Sequence, residues 1–248
     1  MPAPTTIELL WGTERRPKRG PKPALSLEGI VAEAIALADA EGLANLSMQR
    51  LAERLGFTKM SLYRYVPGKE QLTALMVDAA IGEPPDIIAA HQDSDEQRWR
   101  AGLRRWVETL FERYRAHPWS IGLTIGARAI GPNEMGWMNA ALTALDGTGL
   151  TGPEQLDTIV LLNGHIRSLV QQATTADRQE TAQQIAGQFA AMMAAAGDRF
   201  PLVSAAFAEE AAVTGEPPGG DGPGDALSFG INRILDGLGV LIADRHRP

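Results

Sequence analysis

From residue 27 onward, apolar side chains recur at intervals of three and four, the period of a helix that buries one face. Leu27, Ile30, Val31, Ala34, Leu37 and Ala38 form the first such stripe, and Gly42 supplies its stop. Ser47 is placed to cap a second helix over 48–55 that Gly56 ends. Thr58 is placed to cap a third over 59–65, closed by Pro67 and Gly68. A fourth is predicted over 70–81, before Pro84 and Pro85. Acids at 93–96 then open a long helix to 116, with Leu103, Trp106, Leu110 and Tyr114 on one face and Pro118 at its end. Shorter helices are predicted at 119–130 and 133–146, a long one at 154–176, and another at 180–196. Residues 214–225, rich in glycine and proline, are expected to form a disordered loop before a last helix at 225–243. No stretch alternates with period two between hairpin turns, so the expected fold is all-α.

The N-terminal end differs. Prolines punctuate residues 1–24, and Arg15, Arg16, Lys18, Arg19 and Lys22 cluster there. Proline denies such a stretch a helix or a packed core, so a flexible basic arm is expected. The only apolar patch, at 7–11, precedes the basic cluster, the reverse of a signal peptide. No apolar run approaches the roughly 18–20 residues needed to span a bilayer, so no membrane partner is expected and the protein reads as cytoplasmic.

Composition narrows the chemistry. The chain has 248 residues, 44% hydrophobic and 21% charged, which suffices for a sizeable core. It has no cysteine, which removes disulfides, thiolate metal sites and cysteine nucleophiles. The net charge of −7 argues against nucleic acid until it is resolved along the chain. Residues 15–70 hold 10 basic and 6 acidic side chains, and the remainder 13 and 24, so a +4 segment stands against −11 in the rest of the chain. That asymmetry suggests a basic interaction end on an acidic body.

The segment 47–66 explains the basic end. A helix-turn-helix needs a small residue where its two helices cross, here Ala52, and a glycine at the tight turn, here Gly56. Leu51, Leu55, Phe57, Leu62 and Tyr65 fall where apolar side chains lock the helices together. Thr58, Lys59, Ser61 and Arg64 leave the second helix too polar to be buried throughout.

These residues resemble a known family. Ile35 to Leu43, Leu51-Ala-Glu-Arg-Leu-Gly56, Ser61-Leu-Tyr-Arg-Tyr-Val66 and Gly68-Lys-Glu-Gln-Leu72 are similar to the DNA-binding domain of TetR/AcrR bacterial transcriptional regulators. The rest more loosely resembles the tetracycline-repressor-like C-terminal domain. The resemblance implies a DNA-binding domain over 25–83, then a ligand-binding and dimerisation domain over 84–248. It implies a homodimer on a palindromic DNA operator, released by a small molecule. By position, Lys59 and Met60 are then candidates for guanine and thymine edges, with Gln49 near a base edge. Ser47, Tyr63 and Lys69 match phosphate-contacting positions, Arg64 fits either role, and Thr58 opens the recognition helix. In the arm, Arg19 and its basic neighbours are expected to attract phosphates. Pro21 stands where minor-groove hooks usually carry arginine.

In the body, Leu227, Ile231, Ile234, Leu238 and Leu241 repeat as a helix-packing seam. The helix at 154–176 has two apolar faces, one through Leu156, Ile159, Ile166 and Val170 and one through Leu161, Leu162 and Leu169. The resemblance implies that these helices and their symmetry mates form the dimer interface. A heavy load of tryptophan and methionine suits an adaptable apolar cavity. Trp106, Leu110 and Met138 are candidates for its wall, and Asn163 and His165, which interrupt an apolar helix, for orienting a small apolar ligand. His91, Asp93, Asp95 and Glu96 could hold a cation, but helix capping accounts for the acids, so no metal and no cofactor are expected. Phosphate-loop, zinc-protease, nucleophile-elbow and dinucleotide motifs are all absent, so no enzyme is expected. A histidine-dependent hydrolase lacks a candidate nucleophile. An activator of the same fold is the nearer alternative to a repressor.

Overall fold

The computed structural model describes residues 3–12, 25–87, 95–176, 179–214 and 223–245, and every regular element among them is helical. The candidate Arg19, the cation candidates His91 and Asp93, and most of the 214–225 loop lie outside the described residues.

The first helix is α1 (Thr6–Leu10), inside the stretch expected as a mobile arm. Its cause is local. Thr5 and Glu8 form a reciprocal capping box, with the Thr5 N–H donating to Glu8 Oε2 at 2.8 Å. Leu9 and Leu10 are buried in the N-terminal core, so proline density at 17–23 does not extend its effect back to this turn.

Four helices follow close to their predicted bounds: α2 (Leu27–Glu41), α3 (Met48–Leu55), α4 (Lys59–Tyr63) and α5 (Lys69–Ile81). Ser26, Ser47 and Thr58 each accept a backbone N–H as N-caps of α2, α3 and α4. Gly56 closes α3 at φ +73°, the left-handed region that glycine enters without a Cβ clash. The apolar faces of α1 to α5 meet in one core that holds Ile30, Leu37, Leu51, Leu62, Leu72 and Met76.

The second core belongs to α6 (Asp95–Ala116), α8 (Pro132–Leu145), α9 (Gly152–Ala176) and α12 (Pro223–Arg245). Between α6 and α8 lies only the short α7 (Trp119–Leu123). The predicted helix to 130 is not formed; Gly126 at φ +88° turns the chain out of helix, and 124–131 runs as an irregular loop. After α10 (Gln179–Ala196) comes α11 (Pro201–Thr214), which sequence periodicity did not reveal. Its apolar residues are spread around the helix rather than gathered in a stripe. The readable signals were Pro201 at the first turn and the run of alanine and glutamate.

Of the five seam positions expected at the dimer interface, three prove to be core, Ile234 is partly buried against it and Leu241 stays outside. Leu227, Ile231 and Leu238 pack inside the single chain together with Leu235 and Ile242. The face left outside carries Phe229, Val240 and Leu241 on α12, with Leu156, Val160 and Leu161 on α9. Asp236 and Arg233 interrupt the apolar run of α12. Even so, residues 226–245 are the one described stretch long and apolar enough to cross a membrane, where none was expected.

Candidate nucleic-acid interface and ligand cavity

The helix-turn-helix is built by interlocking caps. Phe57 N–H donates to the Ala52 carbonyl at 3.0 Å, which folds the chain back over the end of α3. Thr58 Oγ1 accepts from Ser61 N–H at 3.2 Å and starts α4 at once. Leu51, Ala52 and Leu62 are fully enclosed where the helices cross, and Leu55, Phe57 and Tyr65 pack around them. This leaves Thr58, Lys59, Met60 and Arg64 on an exposed surface. Met60 is 73% exposed, a large apolar side chain with no packing role in the single chain.

The other candidates border this surface. Gln49 is exposed and its amide donates to Glu53 Oε1 at 2.6 Å. Ser47 caps α3, accepting from Arg50 N–H at 3.2 Å. Tyr63 is half-buried, and the Lys59 ammonium stands 5.6 Å from its ring centroid. Lys69 donates to the Leu46 carbonyl at 2.8 Å, which holds its ammonium beside the start of α3. The positive charge of α3 is largely internal: Arg50 pairs with Glu41, and Arg54 with Glu33 and Glu41, all on α2. Of the ten basic side chains counted in 15–70, five lie in the arm; outside the pairs of Arg50 and Arg54, the described part of the stretch carries Lys59 and Arg64 at α4 and Lys69 at the start of α5.

A cavity of about 150 Å³ lies between α6, α8 and α9. Four of the five ligand candidates, Trp106, Leu110, Met138 and Asn163, line it. The Trp106 and Trp137 rings meet edge to face with centroids 5.8 Å apart, and Trp106 Nε1–H donates to the Trp137 carbonyl at 2.8 Å. His165 does not line it. Its ring faces α12, where a Cβ on Gly230 would overlap Nε2. Gly230 is thus required by this close approach.

The cavity is more polar than expected. Arg128, Glu134, Arg167 and Tyr114 also line it. Arg167 and Tyr114 lie one helical turn beyond Asn163 and Leu110, a spacing that would have singled them out. Burial raises the Tyr114 hydroxyl above the ordinary tyrosine range, against the opposing charge of Arg167. Asn163 Oδ1 is buried without a hydrogen-bond partner.

Above this cavity sits the joint between the two cores, which the sequence did not reveal. Asp78, on α5, is only 7% exposed. Its Oδ1 accepts the Glu134 N–H at 3.1 Å, so α5 supplies the N-cap that Gly131 cannot give α8. A Cβ on Gly131 would overlap that oxygen. Asn133 Nδ2 donates to the Asp78 carbonyl at 2.9 Å, and Trp137 Nε1 to the Gly82 carbonyl at 2.8 Å. Arg128 holds Glu134 at 2.7 Å. Burial raises the Asp78 pKa above the usual aspartate range, although the Glu134 N–H opposes the shift. Finally, Trp11 Nε1, just past α1, donates to the Ile130 carbonyl at 3.1 Å on the cavity rim.

Comparison with known proteins agrees with this geometry. Residues 93–242 match the tetracyclin repressor-like C-terminal domain, and residues 30–76 match the bacterial regulatory proteins of the tetR family. The chain belongs to the TetR family. It is 39% identical, over 97% of its length and 87% of the relative's, to the HTH-type transcriptional repressor DrrR1 of Streptomyces coeruleorubidus. It is 31% identical to an HTH-type transcriptional regulator of Saccharopolyspora erythraea over 52% of each chain. In fold it is similar to the TetR family protein ActR of Streptomyces coelicolor, solved in complex with actinorhodin. The TM-score is 0.70 at 24% identity, covering 90% of this chain and 99% of ActR. TetR family regulators act on DNA, and in this chain the helix-turn-helix of α3 and α4 is the part of the family's architecture that does so.

Proposed function

We propose that the protein is a transcriptional repressor that grips a palindromic operator as a homodimer and releases it when a small, largely apolar molecule enters the α6–α8–α9 cavity. The observation that carries this reading is the surface of α4, where Lys59 and Met60 stand exposed on a helix locked from behind by Leu62. In the DNA complex Lys59, Met60, Gln49 and Arg64 face base edges. Ser47, Thr58, Tyr63 and Lys69 lie along phosphates, and Arg19 joins them from the arm. DrrR1, named as a repressor, favours repression over activation, and ActR holds its ligand within the same fold. The basic stretch 15–22 acts as the arm, 25–83 with α1 packed on it as the DNA-binding domain, and 84–248 as the ligand-binding and dimerisation domain. The protein works in the cytoplasm by binding alone, without a catalytic step or cofactor.

The exposed apolar face of α9 and α12 supports the homodimer. Among the described residues, nothing lies within 4 Å of a Cβ built on Gly164 or Gly237, which leaves room for a close helix approach there. Selection of bound fragments from a random DNA pool by the full-length chain tests the whole reading. We expect a palindrome whose half-site centres lie about one helical turn apart. Recovery of no common motif would overturn it.

A further inference from the structure

The apolar walls of the α6–α8–α9 cavity end at a polar patch whose charges do not balance. Among the described residues, three charged side chains line the cavity: Arg128, Glu134 and Arg167. Arg128 is paired with Glu134 at 2.7 Å, so these two offset each other. Asp78 does not line the cavity, and its carboxyl is occupied by the N–H of Glu134 at the start of α8.

Arg167 is left over. Among the described residues it pairs with no carboxylate, and its hydrogen bonding is a single contact of 3.5 Å to the Ile121 carbonyl, the far limit of such a bond. The Thr124 hydroxyl already donates to that carbonyl at 2.8 Å. A guanidinium carries five N–H donors in a planar fork that matches a carboxylate. This half-buried one keeps its charge and most of its donors for another group.

Tyr114 supplies a second donor at the same end. The residue is 5% exposed and lines the cavity. Burial holds its hydroxyl above the ordinary tyrosine range, so at neutral pH it keeps its proton and sets no negative charge against Arg167. Arg167 and the Asn163 amide both act on the hydroxyl oxygen from the donor side, which leaves the O–H itself to donate. The rest of the wall includes Trp106, Leu110, Met138 and Ile159. A volume of about 150 Å³ is that of a cavity which takes one benzene ring.

We infer that this cavity takes a single-ring aromatic acid, with its ring among Trp106, Leu110 and Met138 and its carboxylate received by Arg167 and Tyr114. The assignment deepens the proposed reading of this cavity as the ligand site, and rests on it.

Isothermal titration calorimetry on the full-length chain without DNA, at neutral pH, tests it with benzoate and its uncharged isostere benzamide. We expect benzoate to bind more tightly than benzamide by about tenfold or more, the size of a charge-assisted hydrogen bond. Arg167→Met should remove that difference by weakening benzoate alone, and Arg167→Lys should restore part of it. Tyr114→Phe, which keeps the ring, should weaken benzoate about threefold to tenfold. Met138→Trp, which fills the apolar end, should abolish the binding of both. The larger 2-naphthoate should bind more weakly than benzoate. The inference is overturned if neither probe binds, if benzamide binds as well as benzoate, if Arg167→Met leaves the preference in place, or if 2-naphthoate binds the more tightly. The operator complex separates the two readings. Benzoate that binds with this preference yet leaves the operator bound upholds the acid site and removes the release mechanism. Toluene or benzamide that releases the operator where benzoate does not upholds release and removes the acid site.

Discussion

Two side chains concentrate the consequences at the level of single residues. Lys59 is exposed at the start of α4 and stands over the Tyr63 ring. If it reads guanine, Lys59→Ala costs about 1–3 kcal/mol at particular base pairs and little elsewhere. Competition binding against single-base operator variants distinguishes this from a phosphate contact, which would weaken all sequences alike. Asp78 offers a cleaner chemical contrast. Its carboxyl caps α8, yet burial raises its pKa. A carboxyl whose native pKa exceeds its unfolded value stabilises the fold least when ionised. The penalty is absent below the unfolded pKa of about 4 and grows as pH rises through the native value. Asp78→Asn keeps an acceptor for the Glu134 N–H and removes the charge. Its stability relative to wild type should therefore improve from acid to neutral pH in thermal unfolding. Asp78→Ala loses the cap and should cost about 0.5–2 kcal/mol. An asparagine variant that is less stable than wild type at neutral pH would show that the ionised form is needed.

The elements divide into those whose cause is local and those whose cause is remote. The helices α2, α3 and α4 were legible because Gly42, Ser47, Gly56 and Thr58 act on their own neighbours. Trp106, Leu110, Met138 and Asn163 were legible as one wall because aromatic, sulfur and amide groups stood out on apolar faces. Asp78 as the cap of α8 was not, because 56 residues separate it from Glu134 and Gly131 carries no sign of its partner. His165 misled for a related reason: its polar atom announces a special position, but not whether it meets a ligand or Gly230. The seam on α12 misled because period alone says that one face is apolar, not which neighbour it meets. This moves the dimer test to new positions. Val160 is 70% exposed on α9 and Val240 is 64% exposed on α12. Val160→Arg with Val240→Arg should yield a folded monomer by sedimentation, with its thermal unfolding little changed. A variant pair that sediments as a dimer would remove this face from the interface.

Across the whole molecule, α5 links the two cores. Leu72 and Met76 are buried with the helix-turn-helix, while Asp78, Ile81 and Gly82 engage α8 and the cavity. On the proposed reading, a ligand that displaced Trp137 or Glu134 would pull on α5, and ligand and DNA would then oppose each other reciprocally, with coupling typically of about 1–3 kcal/mol. On the proposed reading, arginine and lysine at 15–22 would add a separate, sequence-independent attraction. Deleting residues 1–23 would confound the two, because it also removes Leu9, Leu10 and Trp11 from their packing. Changing Arg15, Arg16, Lys18, Arg19 and Lys22 to serine leaves α1 in place. The salt slope of log affinity should then shrink by roughly 0.9 for each phosphate that is no longer neutralised, with the preferred motif unchanged.

The clasp made by α1 and Trp11 also bears on biosensor construction. A fluorescent reporter or affinity handle fused directly ahead of Thr5 abuts the capping box and the indole that holds Ile130. Such a fusion perturbs the cavity rim through a helix distant in sequence, and its response to an inducer would be partly an artefact of the attachment. A reporter attached beyond Arg245 is remote in sequence from this clasp, although Arg245 itself pairs with Glu154 at the start of α9 and should be kept.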